Sequence, residues 1–211
     1  MSMDMERPIL KKCDVFYDHR GLFAPLAIDY KGYGDLDKDW VQSNLSISDK
    51  KFTLRGLHFQ TGEFAQAKII KVINGEILDF VVDIRPESPE YMNLFFFELD
   101  NSVELYVPKG YAHGFISLTD NVILQYLVDN HYSRQHEGCL CWTEDINIYE
   151  KIKSLVPEFK SSDVIISDKD KISYNLPEVE VEVEDRLKDL IKLYPNDMEL
   201  GRKVRELYHN N

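Results

Sequence analysis

The sequence lacks long apolar runs and is poor in basic residues. No apolar stretch approaches the roughly 18 to 20 residues needed to span a membrane. The N-terminal MSMDMERPILKK has no apolar core of the kind found in signal peptides, so we expect a cytoplasmic protein with no membrane partner. The 25 Lys and Arg residues face 37 Asp and Glu residues, a formal net charge of −12. No local basic cluster offsets this charge, so we expect no nucleic-acid partner.

Cysteine is scarce as well. The three cysteines are Cys13, Cys139 and Cys141, an odd number without the spacing of a zinc site. A C-x-C pair with one distant partner is weak evidence for a disulfide or a metal. We expect these thiols to be buried or inert.

A series of short β-rich segments occupies the chain between Cys13 and Ile148. Turn residues separate the segments at intervals near ten residues, which is typical of an antiparallel sandwich or barrel. The segments are FTLRGLHF, AKIIKVI, EILDFVVDI, NLFFFELD, VELYVP, FISL and NVILQYLV. Asn74-Gly75 lies between two of them and predicts a tight hairpin, because such a turn needs positive φ at both central positions.

The chain changes character after Ile148. KIKSLVPEFK predicts a short helix, and SSDVIISDKDKISYNLP predicts a loop. The acidic remainder predicts two short helices beyond Glu184 from the spacing of its apolar residues, whereas the alternating VEVEVE fits an edge strand equally well. The family resemblance described below implies a boundary between a main domain, 1–175, and a C-terminal extension, 176–211.

Two motifs place histidines in the predicted sheets. In LRGLHFQ, strand alternation puts His58 and Gln60 on one face, and Arg55 joins them only if Gly56 marks a bulge. In VPKGYAHGF, a tight turn delivers His113 into the sheet interior. This second motif resembles the second histidine motif of the cupin superfamily, whose fold is a jelly roll (double-stranded β-helix), and it suggests a barrel mouth that holds both histidines.

Many cupins bind a metal at this mouth, so a metal-dependent oxygenase or isomerase is one alternative function. Such sites typically take their first ligands from His-x-His followed by Glu. Here the motif is His58-Phe59-Gln60, and an amide is a poor substitute for imidazole. We therefore expect no metal. A non-catalytic sugar-binding cupin is a further alternative.

A longer series of motifs resembles one enzyme family. RGLF, WVQSN, LRGLHFQ, AQAK, INGEILDFVVDIRPESPEY, LYVPKGYAHGF and LQYLVDNHYSRQHEG occur in the order typical of dTDP-4-dehydrorhamnose 3,5-epimerases, roughly from Val15 to Asp170. The resemblance implies an all-β, cupin-type jelly roll, an isomerase without a cofactor, and a homodimer that exchanges N-terminal strands. Arg134 stands where the family commonly has proline, and the C-terminal extension is additional. Both departures leave the particular sugar and nucleotide open.

The resemblance also implies residues for epimerisation next to a ketone. His58 matches the family's base, and Asp170 matches the carboxylate that orients the base. Lys68 matches the lysine that stabilises the oxygen at C4, and Tyr126 matches the phenol that reprotonates the opposite face. Among the implied substrate-binding residues, Arg55 binds the diphosphate, Tyr132 stacks on the base and Arg20 comes from a neighbouring subunit. The full implied set is Arg20, Gln42, Asn44, Arg55, His113, Tyr132 and Glu137. Asp79, Asp83 and Arg85 are interpreted as structural partners.

The expected reaction is inversion at C3, C5 or both carbons of a nucleotide-diphospho-4-keto-6-deoxy sugar. The substrate favoured by the resemblance is dTDP-4-dehydro-6-deoxyglucose, which would become dTDP-4-dehydrorhamnose. A GDP-linked 4-keto heptose or an antibiotic deoxysugar is the alternative within the same reaction class.

Overall fold

The computed structural model describes residues 6–19, 21–24, 39–143 and 148–177. Arg20, the helices predicted beyond Glu184 and the VEVEVE segment lie outside the described residues. The strands are β1 (Ile9–Lys12), β2 (Phe16–Asp18), β3 (Gly21–Phe23), β4 (Gln42–Ser48), β5 (Thr53–Gln60), β6 (Lys68–Asn74), β7 (Ile77–Asp83), β8 (Leu94–Leu99), β9 (Val103–Val107), β10 (Tyr111–Ser117), β11 (Val122–Val128), β12 (Glu137–Cys139) and β13 (Ile165–Ile166).

Two mainly antiparallel sheets form the jelly roll that the sequence predicts. The first sheet has five strands in the order β1-β9-β6-β11-β4. The second has six, in the order β12-β5-β10-β7-β8, with β13 pairing with β5 in parallel. The strands β12 and β13 bind the same side of β5, β12 at Gln60 to His58 and β13 at Thr53 and Leu54. Strands β2 and β3 form a separate hairpin.

The main core lies between the two sheets. Strand alternation points Ile70 and Val72 of β6, and Leu105 of β9, toward Val81 of β7, and all four side chains are fully buried. Full burial of such a side chain is worth roughly 1.5 to 3 kcal/mol. This packing fixes the spacing of the two sheets, and therefore the width of any cavity between them.

The outer face of the six-stranded sheet is covered by helix α1 (Ile148–Leu155). Leu78 and Phe80 of β7 belong to the same buried cluster as Ile148 and Ile152 of the helix. Strand β7 is therefore buried at all seven positions, which explains why EILDFVVDI carries little polar alternation. The helix also confirms the prediction from KIKSLVPEFK, although it begins three residues earlier.

The hairpin predicted at Asn74-Gly75 is wrong. Strand β6 pairs with β9 and β11, whereas β7 pairs with β8 and β10, so this turn joins one sheet to the other. Gly75 has a φ of +85°, but Asn74 continues β6 and is not among the residues with positive φ. One residue with a left-handed backbone conformation is enough for this turn between the sheets, and the two-residue hairpin turn does not form.

The segment predicted as a loop, residues 161–177, contains short regular pieces. These are β13 and the 3-10 turns Ser161–Asp163 and Asp168–Lys171, and a third 3-10 turn spans Gly62–Phe64. Within the described part of the chain, no helix is both long enough and apolar enough to cross a membrane.

Candidate active site

A cavity of about 810 Å³ lies between the two sheets. Strands β5 and β10 of the six-stranded sheet contribute to its lining, and so do β4, β6 and β11 of the five-stranded sheet. All the predicted site residues that the structure describes line it: Gln42, Asn44, Arg55, His58, Lys68, His113, Tyr126, Tyr132, Glu137 and Asp170. Arg20 lies outside the described residues.

A bulge at Gly56 brings Arg55 and His58 to the same cavity. Strand β10 pairs His113 with His58 and Phe115 with Arg55, so two residues of β5 oppose one of β10. Gly56 has a φ of +106°, and a Cβ there would lie 2.7 Å from the backbone of Gly114. Only glycine fits this conformation and this close approach. The bulge that the sequence analysis required is therefore present.

His58 and Asp170 form a hydrogen-bonded pair. The distance from His58 Nε2 to Asp170 Oδ1 is 2.7 Å, and the Gly56 N–H donates to Asp170 Oδ2 at 3.3 Å. Burial alone would raise the pKa of Asp170, but His58 and the Gly56 N–H hold that pKa below its usual value. In a neutral imidazole that donates Nε2–H to this carboxylate, Nδ1 keeps a lone pair and is able to accept a proton.

Lys68 extends from the five-stranded sheet to the His58–Asp170 pair. Its Nζ donates to the carbonyl oxygen of His58 at 3.2 Å, and the residue is buried. Burial lowers the pKa of Lys68 to about 8, and the charges of Asp79 and Glu137 oppose that decrease. At neutral pH the cavity therefore contains an ammonium group whose positive charge is poorly solvated.

A second histidine–aspartate pair lies deeper in the same sheet. The distance from His113 Nε2 to Asp79 Oδ2 is 2.8 Å, and Asp79 is completely buried. Burial raises the pKa of Asp79, whereas His113 and Lys68 lower it. Asp79 is a hydrogen-bond partner, as the sequence analysis interprets it, but its position next to Lys68 is not apparent from the sequence.

Tyr126 faces the cavity from β11, in the sheet opposite His58. Burial raises the pKa of this phenol, and the charges of Arg55 and Lys169 act in the other direction. The hydroxyl therefore keeps its proton at neutral pH. The two neighbouring cations would stabilise a phenolate if the proton were transferred.

The remaining predicted residues are hydrogen-bonded at the cavity lining. Arg55 Nη2 donates to the Ile47 carbonyl oxygen at 2.8 Å, and Gln42 Nε2 donates to Asn44 Oδ1 at 2.5 Å. The exposed Tyr132 donates its hydroxyl to Glu137 Oε2 at 2.8 Å.

Lys169 is a cavity residue that the sequence analysis missed. Its Nζ lies 3.3 Å from Glu137 Oε1, and it lines the cavity together with Asp170. The 3-10 turn directs these consecutive side chains to one site, and neither strand alternation nor helical spacing predicts that result. Burial would raise the pKa of Glu137, but Tyr132 and Lys169 hold it below its usual value.

The side chain of Gln60 is fully engaged in local structure. Its Nε2 donates to the carbonyl oxygens of Phe64 and His131 at 2.8 and 3.0 Å, and its Oε1 accepts from the Ser133 N–H at 2.6 Å. It is therefore poorly placed to coordinate a metal with His58. Across the described residues, one group of His, Cys, Asp or Glu side chains is close enough to share a metal ion, namely His58, Cys139 and Asp170.

Known proteins share this fold and sequence. A family model described as dTDP-4-dehydrorhamnose 3,5-epimerase matches residues 3–178. The dTDP-4-dehydrorhamnose 3,5-epimerase of Salmonella typhimurium is 38% identical over 157 residues, which cover 71% of this chain and 83% of the relative. The Bacillus anthracis enzyme of that name, solved with TDP and PPi bound, has 36% identity and a TM-score of 0.66, over 80% of this chain and 94% of that chain.

A Legionella pneumophila dTDP-6-deoxy-D-glucose-3,5-epimerase is similar as well. It was solved in complex with dTDP-4-keto-L-rhamnose, and it has 28% identity and a TM-score of 0.66 over 80% of this chain and 87% of that chain. These matches confirm the family resemblance inferred from the sequence motifs and the isomerase class that it implies. The chain belongs to the dTDP-4-dehydrorhamnose 3,5-epimerase family.

Proposed function

We propose that this protein inverts C3 and C5 of dTDP-4-dehydro-6-deoxyglucose to give dTDP-4-dehydrorhamnose, without a cofactor. The observation that carries the proposal is the His58–Asp170 pair in a cavity where Lys68 Nζ lies 3.2 Å from the His58 carbonyl oxygen. The nucleotide and sugar nucleotide bound to the Bacillus and Legionella relatives support the substrate class.

The first step is removal of a proton from the carbon next to the ketone. His58 Nδ1 takes this proton, and Asp170 stabilises the imidazolium that results. A base positioned in this way typically contributes about 10² to 10⁴ to the rate. Asp170 suits this role because its lowered pKa keeps it ionised at neutral pH.

The electron pair of the broken C–H bond moves to the ketone oxygen, and Lys68 stabilises the enolate that forms. One well-placed donor to such an oxygen is worth about 3 kcal/mol. The buried Asp79 helps to keep Lys68 protonated, because its negative charge raises the pKa of the ammonium group. A positioning role for Asp79 follows, although it does not itself line the cavity.

Inversion requires a proton donor on the face opposite the base. Tyr126 lies in the sheet opposite His58, and it delivers its hydroxyl proton to the carbon as the enolate returns to the ketone. Arg55 and Lys169 stabilise the phenolate left behind, since both lower the pKa of Tyr126. Exchange of protons with solvent then restores His58 and Tyr126 to their starting states.

The diphosphate binds near Arg55, whose planar guanidinium suits phosphate oxygens. Tyr132 is exposed beside Glu137 and is available to stack on the nucleotide base. Gln42, Asn44 and His113 complete the polar lining on the substrate side. Arg20, which the family resemblance implies as a nucleotide-binding residue, completes the proposed set.

We also propose a homodimer, in which the β2–β3 hairpin packs on the partner. Apolar side chains of this hairpin are between 48 and 68% exposed, and two of β4 are 50 and 66% exposed. They are Phe16, Tyr17, Leu22, Phe23, Leu45 and Ile47. Arg20 falls between β2 and β3 in the sequence, so exchange of the hairpin would carry it toward the partner's cavity. Sedimentation of Phe23→Ser tests this, and an unchanged mass would argue against the hairpin contact.

We also propose a catalytic unit and a cellular compartment. The catalytic unit is the main domain, 1–175, and its support is that the family match ends at residue 178. The compartment is the cytoplasm, and its support is that all three cysteines are unpaired thiols, as expected in a reducing environment. A chain ending at Pro177 that keeps full activity would support the first, and cell fractionation tests the second.

The decisive experiment measures solvent deuterium entering the substrate. The enzyme is incubated in heavy water with dTDP-4-keto-6-deoxyglucose, or with its GDP-linked or heptose counterparts, and NMR reports deuterium at each carbon. We expect incorporation at C3 and C5 of the dTDP sugar, and undiminished rates after treatment with a chelator. Incorporation at one carbon would limit the enzyme to a single epimerisation. Faster turnover of another sugar nucleotide would change the substrate.

A further inference from the structure

Cys139 lies beside the proposed base, on the neighbouring strand. It belongs to β12, where its register partner on β5 is His58. The residue is completely buried, and its thiol is unpaired. No step of the proposed epimerisation uses a thiol, and Cys139 lies outside the motifs that carry the family resemblance.

Three different ligand types meet here. One ligand atom each from His58, Cys139 and Asp170 lie within 4.8 Å of one another. We propose that these three side chains form a binding site for a thiophilic divalent cation such as Zn²⁺, and that the bound cation inhibits the enzyme. Nitrogen, sulfur and carboxylate oxygen are the ligands that Zn²⁺ prefers.

The site needs only small adjustments to close around an ion. Ligand bonds to Zn²⁺ of about 2.0 to 2.3 Å place tetrahedral ligand atoms roughly 3.3 to 3.7 Å apart. The His58–Asp170 distance of 2.7 Å would lengthen, and the longest separation, up to 4.8 Å, would shorten. The three side chains come from β5, β12 and the turn Asp168–Lys171. Backbone pairing joins β5 to β12 and Cys139 to Tyr174, three residues after the turn. His58 faces the cavity, so a fourth ligand enters from there.

Binding releases one proton and involves no redox step. Burial raises the pKa of the Cys139 thiol to about 12, so the metal-free enzyme carries S–H at this position. The cation displaces that proton and takes the sulfur as a thiolate, as coordination does for thiols in general. Its bond to His58 Nε2 moves the imidazole proton to Nδ1. The lone pair that would accept the substrate proton is then lost, and inhibition follows.

This site differs from the metal site that the sequence analysis considered. A metal-dependent cupin would use His58 with His113, but His113 is bonded to Asp79 and belongs to no metal group in the described part of the chain. His58 would therefore bind an inhibitory cation rather than a metal cofactor. The inference goes beyond the proposed function, because it adds a metal-binding site that epimerisation does not use. Metal binding can be measured without turnover, so the two proposals can fail separately.

The first test measures binding. Wild type, Cys139→Ala and Cys139→Ser are compared with Cys141→Ala, a matched control whose thiol is also buried but contacts the Lys171 carbonyl oxygen at 3.2 Å. Equilibrium dialysis should find one Zn²⁺ per wild-type and Cys141→Ala chain, and binding at least about tenfold weaker in the Cys139 variants. Co²⁺ should give a thiolate charge-transfer absorption in wild type and Cys141→Ala alone.

The second test measures inhibition, with each variant's rate in Zn²⁺ divided by its own metal-free rate. This ratio should fall in wild type and Cys141→Ala, recover with a chelator, and stay near one in the Cys139 variants. Zn²⁺ binding that survives both Cys139 substitutions, or a wild-type Co²⁺ spectrum without the thiolate band, would overturn the proposal. A wild-type spectrum without the band overturns the proposal even if the Cys139 variants do not fold, and a band that persists in Cys141→Ala excludes Cys141 as its source. A chain that binds Zn²⁺ through Cys139 but has no epimerase activity would refute the proposed function alone.

Discussion

Two histidine–aspartate pairs lie on neighbouring strands of one sheet, and their surroundings differ. The His58–Asp170 and His113–Asp79 distances are 2.7 and 2.8 Å, and the two histidines are register partners. The side chain of His58 is 29% exposed, whereas that of His113 is 9% exposed. The pKa of Asp170 is lowered, and burial raises that of Asp79.

This contrast shows that hydrogen-bond length alone does not assign a role. The accessible imidazole can reach a substrate carbon, and its carboxylate is ionised. The buried pair instead places a carboxylate next to Lys68, where it affects the charge of the ammonium group. In the proposed mechanism the first pair acts on the substrate, and the second acts through Lys68.

The largest expected effect comes from removing one histidine at a time. His58→Ala should lower deuterium exchange at C3 and C5 by about 10² to 10⁴, the usual contribution of a general base. His113→Asn keeps a polar group at the buried position, so exchange should decrease much less. NMR exchange rates measure both variants, and equal losses would remove the distinction between the pairs.

The carboxylates provide the second comparison. Asp170→Asn keeps the shape of the side chain but removes the charge that stabilises the imidazolium. We expect kcat to fall by roughly 10² or more, because loss of such a carboxylate leaves the base in the wrong tautomer. Asp79→Asn should lower kcat less at pH 7. Steady-state rates on both variants test this, and a smaller loss in Asp170→Asn than in Asp79→Asn would reverse the assignment.

The pH dependence separates the pairs further. Lys68 loses its proton above its pKa of about 8, so kcat/KM should fall as the pH rises beyond that value. Asp79 raises the pKa of Lys68, so in Asp79→Asn the fall should begin at lower pH. Lys68→Arg is the control, since a guanidinium stays charged and the alkaline fall should disappear. An unmoved alkaline limb in Asp79→Asn would show that the buried pair does not act through Lys68.

The smallest effect on exchange is expected from Tyr126→Phe. His58 still removes the proton, so deuterium exchange should stay within a few-fold of wild type, whereas the yield of inverted product should decrease. Product stereochemistry by NMR measures this. Normal inversion would mean that another group, such as His113, supplies the proton, and the buried pair would then have a direct role.

Much of the fold and site is predictable because its signals are local. The strands follow β-rich segments bounded by turn residues, and the resemblance of short motifs to one family implies His58, Lys68, Tyr126 and Asp170 as site residues. The Gly56 bulge is predictable only conditionally, because Arg55 and His58 share a face of the strand only if the bulge is present. Each of these depends on neighbouring residues in the chain.

Sheet membership and contacts between sheets are not predictable in this way. Asn74-Gly75 has the residues of a hairpin turn, but the partners of β6 and β7 are set by strands distant in sequence. Alternation places Asp79 on the interior face of β7, yet its proximity to Lys68 depends on how the two sheets stack. Cys139 meets His58 for the same reason, because β12 returns to β5 only in the folded chain.

The pairing of β12 and β13 with β5 has a consequence for handling the protein. Unpaired strand edges recruit strands from other molecules, and these two short strands pair with that edge of β5. The segment that contains β13 also contains Asp170. A chain shortened before Ser161 would keep β12 but lose both β13 and the Asp170 carboxylate. Thr53 and Leu54 of β5 would then have no partner on that side, and we expect the shortened chain to aggregate.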